Sequence, residues 1–190
     1  TASSNSAVGG QSLSSNTTGA NNTALGAYSL CCNTTAGNNT AIGTNALCKN
    51  TTGDLNTAVG SGALKVNTTG RYNTAVGTSA LIRNTTGGNN TVLGMYAGYN
   101  INAGNNVILG CGAYLGQWDS VNSVSLSTGS NNIAIGRDAF KCNTTGEYNI
   151  ALGYLALCAN TTRTGEVAIG REALREQTTG GENVAIGYYA

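Results

Sequence analysis

Proline and histidine are absent from this chain, and charge is scarce: 9% of residues are Asp, Glu, Lys or Arg, for a formal net charge of +1. Each absence excludes something. A chain without proline loses no backbone donor from a sheet ladder, which suits hydrogen bonding along most of its length. Without histidine, the usual Ser-His and Cys-His nucleophile pairs cannot be built. The near-neutral balance leaves no electrostatic footprint for nucleic acid or an anionic membrane. No apolar run approaches the ~20 residues that cross a bilayer, and no signal peptide is visible. Gly, Asn, Thr and Ser fill the space that charge leaves, so the surface is neutral and polar.

What is present is a repeat. An aliphatic residue is followed by glycine eleven times, at Gly9, Gly26, Gly43, Gly60, Gly77, Gly94, Gly110, Gly136, Gly153, Gly170 and Gly187. Eight of the ten steps are 17 residues, one is 16 and one is 26. Self-similarity at a short fixed period means one supersecondary unit stacked on copies of itself. Disordered Gly/Ser/Asn tracts lack aliphatics that keep such a phase.

Each repeat can be numbered from its glycine as position 0. Position −1 is always Val, Ile or Leu; −2 is Ala except at Val92 and Ile108; −4 is Asn except at Glu166. Positions +3 and +4 are mostly Ala-Leu, and +7 opens Asn-Thr-Thr-Gly in most units. The stretch from −3 to −1 reads as a short strand. The Ala-Leu pair reads as a second short strand or extended segment, and Asn-Thr-Thr-Gly as the return turn. Recurrent glycine argues against helix. The expected fold is therefore all-β: a parallel β-solenoid of about eleven 17-residue coils over residues 1–190, one domain with an irregular insert at about 111–130. Stacking at ~4.8 Å makes a rod of roughly 50 Å. The Asn residues at −4 are expected to stack as ladders that satisfy backbone groups.

Strand alternation puts −1 on one face and −2 and 0 on the other. The expectation is that the aliphatic −1 row points into the coil. The Ala/Gly row would then pack against another copy of the chain and supply core that a thin coil lacks.

The unit Asn73-Thr74-Ala75-Val76-Gly77-Thr78-Ser79-Ala80-Leu81 resembles the head repeats of trimeric autotransporter adhesins. With Asn84-Thr85-Thr86-Gly87 it also resembles repeats of phage and viral tail-fibre-like proteins. The resemblance runs from about Asn5 to Ala190. It implies a left-handed β-roll and a homotrimeric fibre segment. A neck, a coiled-coil stalk, a membrane anchor and a C-terminal chaperone domain are not recognisable.

Six cysteines interrupt the pattern. Cys31 and Cys48 share position +5 on consecutive coils, and Cys142 (+6) and Cys158 (+5) are close in phase, so both pairs are disulfide candidates. Disulfides would imply an oxidising, extracellular setting. The alternative is buried free thiols. A four-ligand metal site is not supported by a Cys-Cys pair without histidine, so no metal or cofactor is expected. Asn16, Asn33, Asn50, Asn67, Asn84, Asn143 and Asn160 are glycosylation candidates lying in the +7 turn; alternatively, Asn-Thr-Thr is only a good turn and amide ladder. In the insert, Tyr114 and Trp118 are candidate stacking residues for a glycan or receptor, or else packing residues. The eight carboxylates are scattered; Glu166 and Glu182 are the closest pair in phase, and solvated turn charge is the better reading.

The chain is thus expected to be no enzyme but a structural segment of an extracellular fibre, on a cell or virion surface, whose main partner is itself and which contacts a host glycan or receptor. Both ends run straight through the repeat, so head-to-tail polymerisation is expected. The alternative is a glycan- or ice-binding module that uses an Asn/Thr face, with Thr18, Thr35, Thr52, Thr69, Thr86 and Thr145 in one line at +9.

Overall fold

A computed structural model describes residues 3–116, 126–177 and 180–190. Eleven three-residue strands form one parallel sheet in sequence order: β1 (Ser6–Val8), β2 (Thr23–Leu25), β3 (Thr40–Ile42), β4 (Thr57–Val59), β5 (Thr74–Val76), β6 (Thr91–Leu93), β7 (Val107–Leu109), β8 (Ile133–Ile135), β9 (Ile150–Leu152), β10 (Val167–Ile169) and β11 (Val184–Ile186). Every strand occupies −3 to −1, and each residue pairs with its equivalent in the next repeat. The register absorbs both irregular steps: Thr91 pairs with Val107 and Val107 with Ile133. The chain is a β-solenoid without helix among the described residues, so no helix there is long and apolar enough to cross a membrane.

Hydrogen bonds between coils run right round each turn, not only along the strands. Between the coils of Gly43 and Gly60, Gly60 N donates to Ile42 O, Gly62 N to Thr44 O, Leu47 N to Ala63 O, Lys49 N to Lys65 O and Thr51 N to Thr68 O, at 2.7–3.1 Å. The proline-free sequence keeps all these donors available.

The two strand faces are the reverse of the sequence expectation. Position −2 faces inward: Ala41, Ala58, Ala75, Ala134, Ala151 and Ala168 are fully buried, as is Ile108. Position −1 faces out, with Val8, Leu25, Leu93 and Ile186 among the exposed residues. The physical reason is room. The interior already holds the +4 side chains (Leu30, Leu47, Leu64, Leu81, Tyr114, Phe140 and Leu157) and two columns of asparagine, and only a methyl fits opposite them. Where +4 shrinks to Gly98, the −2 residues enlarge to Val92 and Ile108; an added Cβ at Gly98 would lie 3.3 Å from Ile108 Cδ1 and 3.4 Å from Ile101 Cδ1. The position-0 glycines abut the next coil of the same chain. A Cβ on Gly77 would lie 2.6 Å from Gly94 O in the next coil, and φ is +132° there, a region open essentially to glycine alone.

The Ala-Leu segment is also not a second strand. It is a run of turns in which +2 and +4 take left-handed backbone, for example Asn45 (φ 59°) and Leu47 (φ 49°). A left-handed leucine is uncommon. Here that backbone turns Leu47 into the core, where it is fully buried.

Candidate functional site

The −4 and +7 asparagines form two buried ladders. At −4, the Oδ1 of one coil accepts from the backbone N of the next, as Asn56 N donates to Asn39 Oδ1 at 2.9 Å. The same side chain donates across the coil, Asn56 Nδ2 to Gly70 O at 2.9 Å. At +7, Asn67 Nδ2 donates to Asn50 Oδ1 at 2.8 Å and to Gly70 O at 3.0 Å. Both columns therefore satisfy carbonyls of the return turn that would otherwise be buried without a donor.

This geometry corrects the glycosylation expectation. Asn33, Asn50, Asn67, Asn84, Asn143 and Asn160 are fully buried, and Asn16 is half-buried. The amide nitrogen a glycan would occupy is the one that builds the ladder, as at Asn33, Asn84 and Asn143. The sequons that face solvent are Asn21, Asn38 and Asn89, at −5.

The two insert residues fare differently. Trp118 lies outside the described residues. Tyr114 is fully buried, packs edge-on against Phe140 with centroids 5.1 Å apart, and holds a place in the +7 ladder. Its hydroxyl accepts from Asn143 Nδ2 and donates to Gly129 O, both at 2.8 Å. Tyr114 is thus a packing residue and offers no face to a ligand. Burial pushes its phenol well above the ordinary range.

All six cysteines are free thiols in the structure. The coil stacking does bring Cys31 and Cys48 together, with Sγ atoms 3.0 Å apart, and Cys32 Sγ lies 3.6 Å from Cys31 Sγ. Burial, with the thiols of Cys48 and Cys32 beside it, pushes Cys31 up to about 12. In the other pair, the hydrogen bond from the Cys158 thiol, aided by Lys141 and opposed by burial, brings Cys142 down to about 6, and Cys158 is raised in exchange. Sequence phase found both pairs but missed that Cys32, at +6, joins the first.

Glu166 and Glu182 do not form a carboxylate pair of the kind glycoside hydrolysis uses. Glu166 is fully buried, with Arg163 Nη1 3.0 Å from its Oε1, and Glu182 is exposed.

The surface left for contact has two parts. The outer sheet face carries the −3 and −1 residues: Thr beside an aliphatic from β2 to β6, then two aliphatics per strand from β7 to β11. Exposed Tyr28, Met95, Tyr96, Tyr154 and Tyr188 flank it, and Arg137, Tyr154, Arg171 and Tyr188 stack at +1 with guanidinium-to-ring distances of 5.4–5.8 Å. Sequence alternation identified this row and assigned it to the interior. The second surface is the threonine line at +9: Thr18, Thr35, Thr52, Thr69, Thr86 and Thr145 are all exposed. The neighbouring +8 hydroxyls are already used, as Thr51 Oγ1 donates to Thr68 O at 3.1 Å.

No family model matches the chain, and neither does any curated protein or solved structure.

Proposed function

We propose that the chain is a structural segment of an extracellular fibre on a cell or virion surface, and that its outer sheet face is where three copies associate as left-handed rolls about a common axis. The observation that carries this reading is the uncovered aliphatic face, with Val107, Ile135, Val184 and Ile186 among its exposed members. Contiguous apolar surface of this kind marks an interaction site. A face that repeats every ~4.8 Å is matched in period by another copy of itself. Eleven strands of three residues give a footprint of about 500 Å². The flanking tyrosines and Met95 bring it toward the ~800 Å² per partner of a stable interface. Copy number, handedness and extracellular placement rest on the resemblance of the repeats.

Sedimentation equilibrium of the wild type and of Ile169→Lys tests this. The wild type is expected at three times 19.1 kDa, and the variant as a monomer with its β-sheet circular dichroism intact. A wild type that stays at 19.1 kDa across the concentration range overturns the proposal.

A second reading has its own observation, the line of exposed +9 threonines. Hydroxyls at ~4.8 Å intervals on a rigid scaffold suit a repetitive ligand such as a polysaccharide or an ice lattice. Thr52→Val with Thr69→Val would abolish binding to such a surface. Wild-type protein that neither shapes ice nor binds a glycan array removes this reading.

A further inference from the structure

Three cysteine sulfurs converge where two neighbouring coils stack, partly buried between them. Cys31 and Cys32 are consecutive, at +5 and +6, and Cys48 is at +5 one coil on. The coil ladder fixes their backbones: Ser15 N donates to Cys31 O at 3.2 Å, Cys32 N to Cys48 O at 3.0 Å and Lys49 N to Lys65 O at 2.9 Å. Cys31 Sγ is 3.0 Å from Cys48 Sγ and 3.6 Å from Cys32 Sγ, and all three sulfurs lie within 4.8 Å of one another. Among the described residues this is the one place where three potential ligand atoms meet.

A metal bound by thiolates at ~2.3 Å with near-tetrahedral angles needs sulfur–sulfur edges of about 3.8 Å. Two of the edges, at 3.0 and 3.6 Å, are shorter than that and the third is at most 4.8 Å, so a bound cation would draw the Cys31–Cys48 pair slightly apart. We propose that Cys31, Cys32 and Cys48 form a three-thiolate site for a soft d¹⁰ cation, Cu(I) foremost. The donor set is sulfur only, since the chain has no histidine and no carboxylate belongs to the cluster. Soft thiolates select Cu(I) and zinc over hard cations. Structural zinc sites close with four protein ligands, and this cluster offers three, so zinc is the poorer fit. Lys49 stands in the column of Cys32 one coil on, and Lys65 in the column of Cys48 one coil on, so cationic residues flank the anionic thiolate complex. Each sulfur passes its proton to solvent as its bond to the metal forms, and neither metal nor sulfur changes oxidation state.

The columns also supply clean variants. Ser14 and Ser15 already occupy +5 and +6 in the preceding coil, so serine at these positions is compatible with the fold. Fully reduced protein is titrated anaerobically with Cu(I) against a competing chelator, with native mass spectrometry for stoichiometry and X-ray absorption for the ligand shell. The expected result is one Cu(I) per chain in a sulfur-only shell. Cys32→Ser and Cys48→Ser should each weaken binding by at least about 100-fold. Cys142→Ser with Cys158→Ser should leave it unchanged. The proposal is overturned if the reduced wild type leaves Cu(I) with the chelator, if Cys32→Ser binds as tightly as wild type, or if binding follows the Cys142–Cys158 pair.

Discussion

Arg163 and Glu166 form an ion pair inside the solenoid, Nη1 to Oε1 at 3.0 Å, where other coils place a small residue and an asparagine. Glu166 stands in the −4 Asn column and keeps part of the ladder: its backbone N donates to Asn149 Oδ1 at 2.9 Å, and its Oε1 accepts from Asn183 Nδ2 at 3.3 Å. Arg163 stands where Gly70, Gly87 and Gly146 stand in other coils, and its Nη2 donates to Gln177 O. The pair is incompletely satisfied, since Arg163 Nε and Glu166 Oε2 have no hydrogen-bond partner.

Breaking this pair from one side strands a buried charge. Glu166→Gln is expected to destabilise by about 3 kcal/mol or more. Restoring the consensus with Arg163→Gly and Glu166→Asn together should give a protein at least as stable as wild type, by up to about 2 kcal/mol. Chemical denaturation of Glu166→Gln, of Arg163→Gly and Glu166→Asn singly, and of the double variant checks both statements. A double variant as unstable as the sum of the singles would contradict them.

Asn67 tests the ladder reading of the +7 turn. Asn67→Ala removes the donor to Asn50 Oδ1 and the acceptor of Asn84 Nδ2. The loss should be about 2–4 kcal/mol, one or two buried polar groups left unpaired. Asn38→Gly, at an exposed −5 site whose left-handed backbone (φ 59°) glycine accepts, should stay within about 0.5 kcal/mol. Equal melting shifts for the two would mean that the +7 amides are solvated.

The sequence made the period, the strand positions and the stacking register legible, because each depends only on spacing. It did not reveal which strand face is inside. Period-2 alternation offers two assignments, and the larger side chain at −1 favoured the wrong one. The deciding signal is in phase with −2: asparagine at −4 falls on the same face, and its amide must reach a buried carbonyl such as Gly70 O. The core leucines at +4 were unreadable for another reason. They sit on left-handed backbone, as at Leu64 (φ 49°), which local propensity opposes and only the stacked coil imposes. Tyr114 could not be recognised as a ladder member because its partner, Asn143, is 29 residues away across the insert.

The thiols predict a selective reaction. The thiolate is the nucleophile, so Cys142, brought down to about 6, should alkylate at neutral pH. Cys31, pushed up to about 12, should stay unreacted. The Cys142 rate should rise through pH 6 and level off by about pH 7, whereas an ordinary cysteine continues to gain up to its pKa of roughly 8.5. Peptide mapping after a short iodoacetamide pulse at several pH values reads this directly. Labelling of Cys31 ahead of Cys142 would contradict it.

The inside-out arrangement of the strands is tested at two adjacent residues, Ala75, fully buried, and Val76, on the outer face. Circular-dichroism melts of Ala75→Lys and Val76→Lys, side by side, give the answer. Ala75→Lys should fail to fold or lose more than about 4 kcal/mol, because the ammonium has no water inside the coil, while Val76→Lys should keep its β-sheet signal even where it weakens association of the outer faces. The opposite order, with Val76→Lys unfolded and Ala75→Lys intact, would contradict the account.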